Sequence, residues 1–508
     1  MKTFDAVIFT DMSSKIWHVR PLGAYRLASE LRYHGYSVLV VDFLSKWLNQ
    51  RKQFLLLLKK ILSHNTLFVG YSGTFFSTDN QIKRTLEGHR DYFGLVGITN
   101  WPTTTENMRI VNNCIKTLAP EAKIFYGGAQ ANTINNKLED SGIDYVVQGF
   151  ADGLIVDLLD RLKEKRTIQY DLNLSKKIKI INHDLLAKNF NFPESITSFH
   201  ESDFIQSTEV LPLETSRGCL FKCKFCAFPL LGRKKGDPEY HKHISRLTNE
   251  LVSNYKNFGV TKYTIIDDTF NETTDKLKEI YKSITDSQIK IEFSCYLRLD
   301  LLERYPEQIS LLYKMGLRSC FLGIESLNPN SARSIGKSSS IPAVKKTLSL
   351  IKEVWKEDVS VFCSFIAGLP NDDEESINEW MNWVYDNENL IDSFVLVPLA
   401  FSQKSLWPSE IGKEPEKFGY QFENQTWTNN MGLTQSRAKD ICNQWMEKSW
   451  NTSRLKIAGW EMMGIQNLGY SSEELRKYTL DQLPIDDFAT RYIDRFTTYR
   501  NNLLAYVD

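Results

Sequence analysis

Thr215-Ser216-Arg217-Gly218-Cys219-Leu220-Phe221-Lys222-Cys223-Lys224-Phe225-Cys226 carries three of the chain's eight cysteines within eight residues, spaced C-x3-C-x2-C. Three thiolates this close can converge on one inorganic centre, and soft sulfur ligands select zinc, copper(I) or iron–sulfur clusters. A structural zinc site needs a fourth Cys or His to close it. His241 and His243 are the candidates, but they lie fifteen or more residues on, with no second C-x-x-C knuckle. Three cysteines on a cubane cluster instead leave one iron without a protein ligand, open to chemistry.

Downstream of this loop the sequence repeats a strand–helix rhythm. Glu209 to Glu214 is a strand that delivers the cysteines. Further strands are expected at Thr261–Ile266, Lys290–Leu297, Ser319–Ile324, Val359–Ile366 and Ser393–Val397, with helical spacing between them. Six β/α units predict a partial TIM-like barrel over 209–405, with its chemistry at the strands' carboxyl ends. Those ends carry Asp267-Asp268, Arg298, Glu325-Ser326 and Ala367-Gly368-Leu369-Pro370. Packing alone does not call for such residues, because inward barrel positions are usually branched and apolar. Lys337 reads as an exposed lysine flanking a helix, and Cys295, Cys320 and Cys363 as core residues.

Upstream, over 1–165, short apolar runs at Ala6–Phe9, Val38–Val41, Leu67–Gly73, Leu95–Thr99, Lys123–Gly128 and Asp144–Gly149 alternate with helical patterns, Gly35 capping the first helix. That alternation predicts an α/β domain with a doubly wound, parallel, Rossmann-like sheet, the last of these runs being its last strand. Ligands on such sheets bind outside the carboxyl ends of the strands. The small and polar ends here, Ser72, Gly73, Thr99, Gly127, Gly128 and Gly149, allow close approach by a large ligand. No G-x-G-x-x-G follows any strand, so a dinucleotide is not favoured. Residues 166–208 read as a polar linker. Residues 406–508 read as a helical region, rich in Trp and Met, that packs as core or covers the barrel mouth as a lid.

Lys+Arg and Asp+Glu are equal at 62 each, so a general polyanion-binding surface is not expected and nucleic acid is an unlikely partner. The apolar run Phe54–Leu58 is too short to span a bilayer. Met1-Lys2-Thr3-Phe4-Asp5 leads straight into a strand, so no signal peptide is expected. The remaining cysteines are scattered singly, a reduced-thiol usage that predicts a cytoplasmic protein.

With its aromatic residue before the third cysteine, the loop resembles the signature of the radical S-adenosylmethionine (SAM) enzymes. The order of elements before it, with the Pro21-Leu22-Gly23 turn and the Gly127-Gly128 strand end, resembles the cobalamin-binding domain found in one class of that superfamily. The D-x-H-x-x-G loop that gives a histidine to cobalt is missing; Trp17-His18-Val19-Arg20-Pro21 stands there instead, which the resemblance tolerates because many such methylases lack it.

The resemblance implies a 4Fe–4S cluster on Cys219, Cys223 and Cys226. It implies that Phe225 and Gly368 lie by the SAM adenine, that Asp267 and Asp268 hold the methionine ammonium, and that Glu325-Ser326 binds the ribose. Arg298 would pair with the SAM carboxylate or with Glu325, and cobalamin would lie at the six small strand ends. It further implies reductive SAM cleavage to a 5′-deoxyadenosyl radical, cobalamin-dependent methylation of an unactivated carbon in a small-molecule or peptide substrate, and an electron donor such as flavodoxin or ferredoxin. Radical chemistry without methyl transfer and a non-catalytic sensor are the alternatives. A transfer-RNA methylthio-transferase is disfavoured, because Cys114 stands alone where three further cysteines would be needed.

Overall fold

The computed structural model describes residues 2–11, 19–72, 76–77, 103–128, 131, 138, 140–175, 177–182, 190–228, 230–234, 238–337, 340–387, 389–401, 407–423, 426–450, 464–479, 482 and 484–508. The run at 95–99 and the loop residue His18 lie outside these.

The first sheet has seven strands: β1 Ala6–Phe9, β2 Val38–Val41, β3 Phe68–Ser72, β4 Lys123–Gly127, β5 Tyr145–Gln148, β6 Leu172–Asn173 and β7 Lys179–Asn182. Their order is β2-β1-β3-β4-β5-β7-β6, parallel throughout except for the β6–β7 pair. Strands β1, β2 and β3 are buried at every residue, as uninterrupted apolar runs in a parallel sheet require when helices cover both faces. Gly35 adopts φ +83° just past the helix Leu22–Tyr33, the left-handed turn that ends it.

Strand β7 corrects the sequence reading, which placed the last strand at 144–149 and a linker from 166. Ile178, Ile180 and Ile181 are buried in this sheet. Lysines disguise the run; Lys179 lays its ammonium over Tyr145 and Tyr170 instead of breaking the strand.

The second sheet has six strands, β8 Val210–Leu213, β9 Lys262–Ile265, β10 Glu292–Arg298, β11 Leu317–Glu325, β12 Ser360–Ala367 and β13 Ser393–Pro398, all parallel and in sequential order. Order and direction are those of the expected β/α series. Phe365 packs on Trp380 of the helix Glu374–Asp386, ring centroids 5.3 Å apart. Alternation then turns Ser360, Phe362 and Ser364 to the opposite face. The register carries two layers across that face: Ser360, Ser319, Ser294 and Thr264, then Phe362, Phe321 and Tyr296.

The C-terminal region divides its packing. A hairpin, β14 Gln421–Glu423 with β15 Thr426–Thr428, departs from the all-helical expectation. The helix Gln435–Trp450 lies on the second sheet's side, where Trp445 donates to Asn378 Oδ1 at 2.8 Å. The helix Ile485–Val507 instead packs on the first sheet, with Phe43 against Phe496 and Tyr499. These described elements do not form one lid; Trp460, Met462 and Met463 lie outside the described residues. Among the described residues no helix is long and apolar enough to cross a membrane.

Glu209, just before β8, joins three separate stretches. It accepts from Arg20 at 2.8 and 2.9 Å and faces Arg495 at 3.3 Å, with all three side chains buried. Glu209→Ala leaves two guanidiniums buried against each other. The substitution is expected to cost about 3–5 kcal/mol, read as a lowered denaturation midpoint.

Candidate iron–sulfur cluster site

The cysteine loop begins where β8 ends, and a carboxylate from β9's end fixes its first residues. Asp267 accepts from the Thr215 and Ser216 amides at 2.8 and 3.0 Å, from Ser216 Oγ at 2.9 Å and from the Thr215 hydroxyl, and it pairs with Lys276 at 2.9 Å. Burial alone would raise this carboxyl's pKa; Lys276 and the Thr215 bonds overcome that and hold it below the ordinary value. These contacts occupy the acceptor capacity that a ligand ammonium would need.

Gly218, at φ +71°, lets the loop close on itself. A side chain there would meet Leu230 at 2.6 Å. The Cys219 amide donates to Leu230 O at 3.1 Å, and Cys219 O accepts from the amides of Gly232 and Arg233 at 2.7 and 3.2 Å.

Each thiol has its own setting. Cys219 is buried, with Thr269 Oγ1 at 3.2 Å and the Phe221 amide at 3.4 Å. Cys223 Sγ accepts from Arg298 Nη1 at 2.8 Å. Arg298 is itself fixed by Asp300, at 3.0 and 2.7 Å, and by the Phe221 ring, 4.1 Å below its guanidinium. Burial pushes the Cys226 thiol up to about 12, with further contributions from Cys223 and Cys219, and it also raises Cys219. Thiols so destabilised as anions ionise when cations bind them. Among the described residues no three Cys, His, Asp or Glu groups converge on a single-ion position. Three soft thiols on one loop are a donor set that suits an iron–sulfur cluster. The zinc-closing histidines are also engaged elsewhere: His241 lies 3.0 Å from Arg233, and His243 pairs with Glu194.

The other expected residues surround this loop. Phe225 is half-buried beside Lys224, whose amide donates to Ile335 O at 3.2 Å. Asp268 is half-buried with no hydrogen bond to its carboxyl among the described residues, and burial, with Asp267 and Glu214 near, pushes it up to about 7. At the end of β11 the register slips between Gly323 and Glu325, and Glu325 sits at φ +73°. The bulge re-aims its carboxylate, which meets Lys337 at 2.8 Å.

Three sequence readings change here. Lys337 is buried, not exposed, and also donates to Gly323 O at 2.9 Å. Of the two partners expected for Arg298, Glu325 is not paired with it among the described residues; Arg298 binds Cys223 and Asp300 instead. Gly368 donates its amide to Asp372, accepts from Tyr420 OH, and is covered by Trp427, which a side chain at 368 would meet at 2.2 Å. Ser326 Oγ is buried and caps the Asn328 amide at 3.1 Å. Cys295 and Cys320 oppose each other across β10 and β11, buried with Cys363 in the core.

In the first sheet, Ser72, Gly127, Gly128 and Gly149 line one cavity together with Gly70 and Tyr126. Gly73 and Thr99 lie outside the described residues. The chain leaving Gly149 reaches Asp152, which accepts from both Arg217 Nη atoms at 2.9 Å and from Arg26 at 3.1 Å. Asp152 is held down at about 2, because Arg217 and Arg26 outweigh the opposing effect of burial. Arg217 also takes Glu214 and stacks over Phe150 and Phe192. Sequence reading named none of Asp152, Arg217, Thr269 or Lys276 as a site residue. The last two lie on the strand end and helix that follow β9, where only their spacing to Asp267 hinted at a role.

A loop of closely spaced thiols at the end of the first strand of a parallel β/α series defines an iron–sulfur enzyme class. Residues 213–384 match the radical SAM superfamily. That stretch, about a third of the chain, is a radical SAM domain, and such a domain implies a 4Fe–4S cluster and SAM. An uncharacterised methyltransferase of Pyrococcus horikoshii is 24% identical over 303 residues, 56% of this chain and 62% of its own length. The bacteriochlorophyllide d C-8(2)-methyltransferase of Chlorobaculum tepidum is 25% identical over 264 residues, 50% of this chain and 55% of its own. The chain thus spans less than two thirds of these relatives' lengths. The radical SAM methyltransferase TsrM of Kitasatospora setae, solved with cobalamin and a [4Fe-4S] cluster, aligns over 97% of this chain and 100% of its own at TM-score 0.64 and 13% identity, a likeness of fold.

Two outcomes are expected. Lys276→Met leaves Asp267 buried without its cation, while Glu272 keeps Arg233; it should cost about 3–5 kcal/mol and lower iron retention after anaerobic reconstitution. Asp152 has a folded pKa of about 2, below its ordinary value near 4. Its contribution to stability is therefore present above roughly pH 4 and lost as pH falls toward 2. Asp152→Asn should flatten that acid limb of the stability–pH curve.

Proposed function

We propose that this protein is a radical SAM enzyme that methylates an unactivated carbon with the help of cobalamin. One observation carries the reading: Asp152, three residues beyond the cavity-lining Gly149, is paired at 2.9 Å with Arg217, two residues before Cys219. The small strand ends of the first sheet and the cysteine loop therefore share one ion pair. A ligand on the first sheet faces the chemistry of the second.

With cluster, SAM and cobalamin bound, the cofactors supply one-electron cleavage of a sulfonium bond and a transferable methyl group. The chain's part is to hold and orient. Cys219, Cys223 and Cys226 are the cluster ligands in this reading. Arg298 donates to Cys223 Sγ, a charge-assisted contact that stabilises sulfur as an anion. Asp267 and Lys276 keep the loop's entry rigid, and Asp268 is the carboxyl left to meet a ligand ammonium. Glu325, one oxygen held by Lys337, presents the rest of its carboxylate at the end of β11. Ser72, Gly127, Gly128 and Gly149 border a narrow cavity of about 50 Å³ walled also by Leu27, Phe125 and Ile155; in this reading the corrin lies outside the strand ends and meets these small residues at its edge. The names of the relatives, methyltransferases, and of the cobalamin-bound fold neighbour agree with this reading.

The test is corrinoid retention. Anaerobically reconstituted protein is incubated with hydroxocobalamin, desalted, and its absorbance recorded beside its iron content. Near-stoichiometric corrinoid with about four irons per chain is the expected result. Iron without corrinoid would overturn cobalamin-dependent methylation and leave a radical SAM enzyme of other chemistry.

A further inference from the structure

Between Arg217 and Lys235 the sequence has six basic residues and no acidic one, in a chain whose charges balance at 62 of each sign. Three of the six are spent internally: Arg217 on Asp152 and Glu214, Lys224 on Glu410, and Arg233 on Glu272. Lys222 and Lys234 are exposed. Beside them a groove reaches Cys226 itself. Its apolar wall includes Phe228, Leu231 and Trp407, and among the described residues its lining holds two cations, Arg233 and Lys413, and no carboxylate. Lys413 is exposed, and Phe228 is 57% exposed although it is a large apolar side chain two residues from a thiol. Neither Lys234 nor Lys413 is ion-paired among the described residues. The wider groove beyond Leu220 contrasts with it, since Asp275, Glu279, Lys282 and Asp286 give that lining both signs.

If the cysteines hold a cluster, as proposed above, one electron must arrive from outside for each SAM cleaved. The geometry points to the Cys226 groove, with its Phe228 centre and its Lys234 and Lys413 rim, as the docking surface for an acidic one-electron carrier protein. Glu410 and Glu414 beside Lys413 are paired with Lys224 and Lys417, so the exposed cations next to the apolar centre suit a transient partner of the opposite sign, which the field steers into place and salt weakens. One electron leaves the carrier's reduced flavin or iron–sulfur centre, which is oxidised by one unit. The cluster is reduced by one unit, and no atom or proton crosses the interface. Cys226 forms part of the groove wall, so the carrier approaches a ligand residue directly instead of through a packed layer.

The test uses flavodoxin as the probe and reconstituted full-length protein. Binding of oxidised flavodoxin is measured by biolayer interferometry at low and high salt for wild type, the Lys234→Glu/Lys413→Glu pair, and Phe228→Ser. At low salt the charge-reversal pair should bind about tenfold more weakly, and the difference should shrink at high salt. Phe228→Ser should weaken binding at both salt concentrations. Iron content, and SAM cleavage driven by titanium(III) citrate, should match wild type in every variant, while cleavage driven by reduced flavodoxin falls in step with binding. Equal affinity of wild type and variants at low salt, or no binding of flavodoxin by wild type, would overturn the assignment. Failure of the enzyme reading looks different: titanium(III) would then give no SAM cleavage in wild type whatever the binding data show.

Discussion

The structure turns on one buried carboxylate, Asp267, at the end of β9. It gathers the backbone and hydroxyls of Thr215 and Ser216 and is neutralised by Lys276. A buried carboxylate is costly unless it is paired and fully hydrogen-bonded, and this one meets both conditions. Its effect is to fix where the cysteine loop leaves β8. From that origin Gly218 turns the chain and the Cys219 backbone is pinned to Leu230, Gly232 and Arg233. Burial makes Cys219 and Cys226 costly as anions, while Arg298 stands against Cys223 Sγ at 2.8 Å.

The second constraint is the run of buried ion pairs between the two sheets. Arg217 and Arg26 share Asp152, while Arg20 and Arg495 share Glu209. Pairs of this kind add little net stability against an apolar alternative, yet breaking one side is expensive. Their consequence is geometric. They fix the carboxyl edge of the first sheet against the entry to the cysteine loop, and the helix Ile485–Val507 closes the same network from the far end of the chain.

How much of this was legible in the sequence follows from the range of the interactions. The parallel strands, the loop and its three cysteines were readable because local periodicity and spacing encode them. The polar and small strand ends were readable as positions but not as roles. Asp267 read as a ligand contact and turns out to be engaged by Thr215 and Ser216, 52 and 51 residues earlier, and by Lys276 on the next helix. Lys337 read as exposed because nothing nearby in sequence shows that a bulge at Gly323 opens a pocket for its ammonium; a side chain at Gly323 would meet Glu325 at 2.6 Å and Lys337 at 3.1 Å. Strand β7 was missed because flanking lysines hid a three-isoleucine run. Asp152 and Arg217 were missed because an isolated acid and an isolated arginine carry no signal until the fold brings them together.

The inner face of the second sheet gives these local facts a common reason. A packed barrel fills its interior with branched aliphatic layers. Here one layer is hydroxyls, Thr264, Ser294, Ser319 and Ser360, and the next is flat rings, Tyr296, Phe321 and Phe362, with neighbouring centroids 5.0 and 5.1 Å apart. The short side chains of the hydroxyl layer lack the bulk that Leu or Ile would supply there. Toward the carboxyl ends the same sheet exposes Ile266 at 36% and Val397 at 37%, apolar side chains that a closed core would bury. A sheet that gives up aliphatic packing on one face loses burial that contributes roughly 25 cal/mol per Å², and the buried ion pairs around Asp267, Glu209 and Asp152 do not restore it. The hydroxyl layer and the exposed Ile266 and Val397 set this face apart from a closed aliphatic core, on the sheet whose carboxyl end carries Glu325 and Arg298, the latter bonded to Cys223 of the cysteine loop.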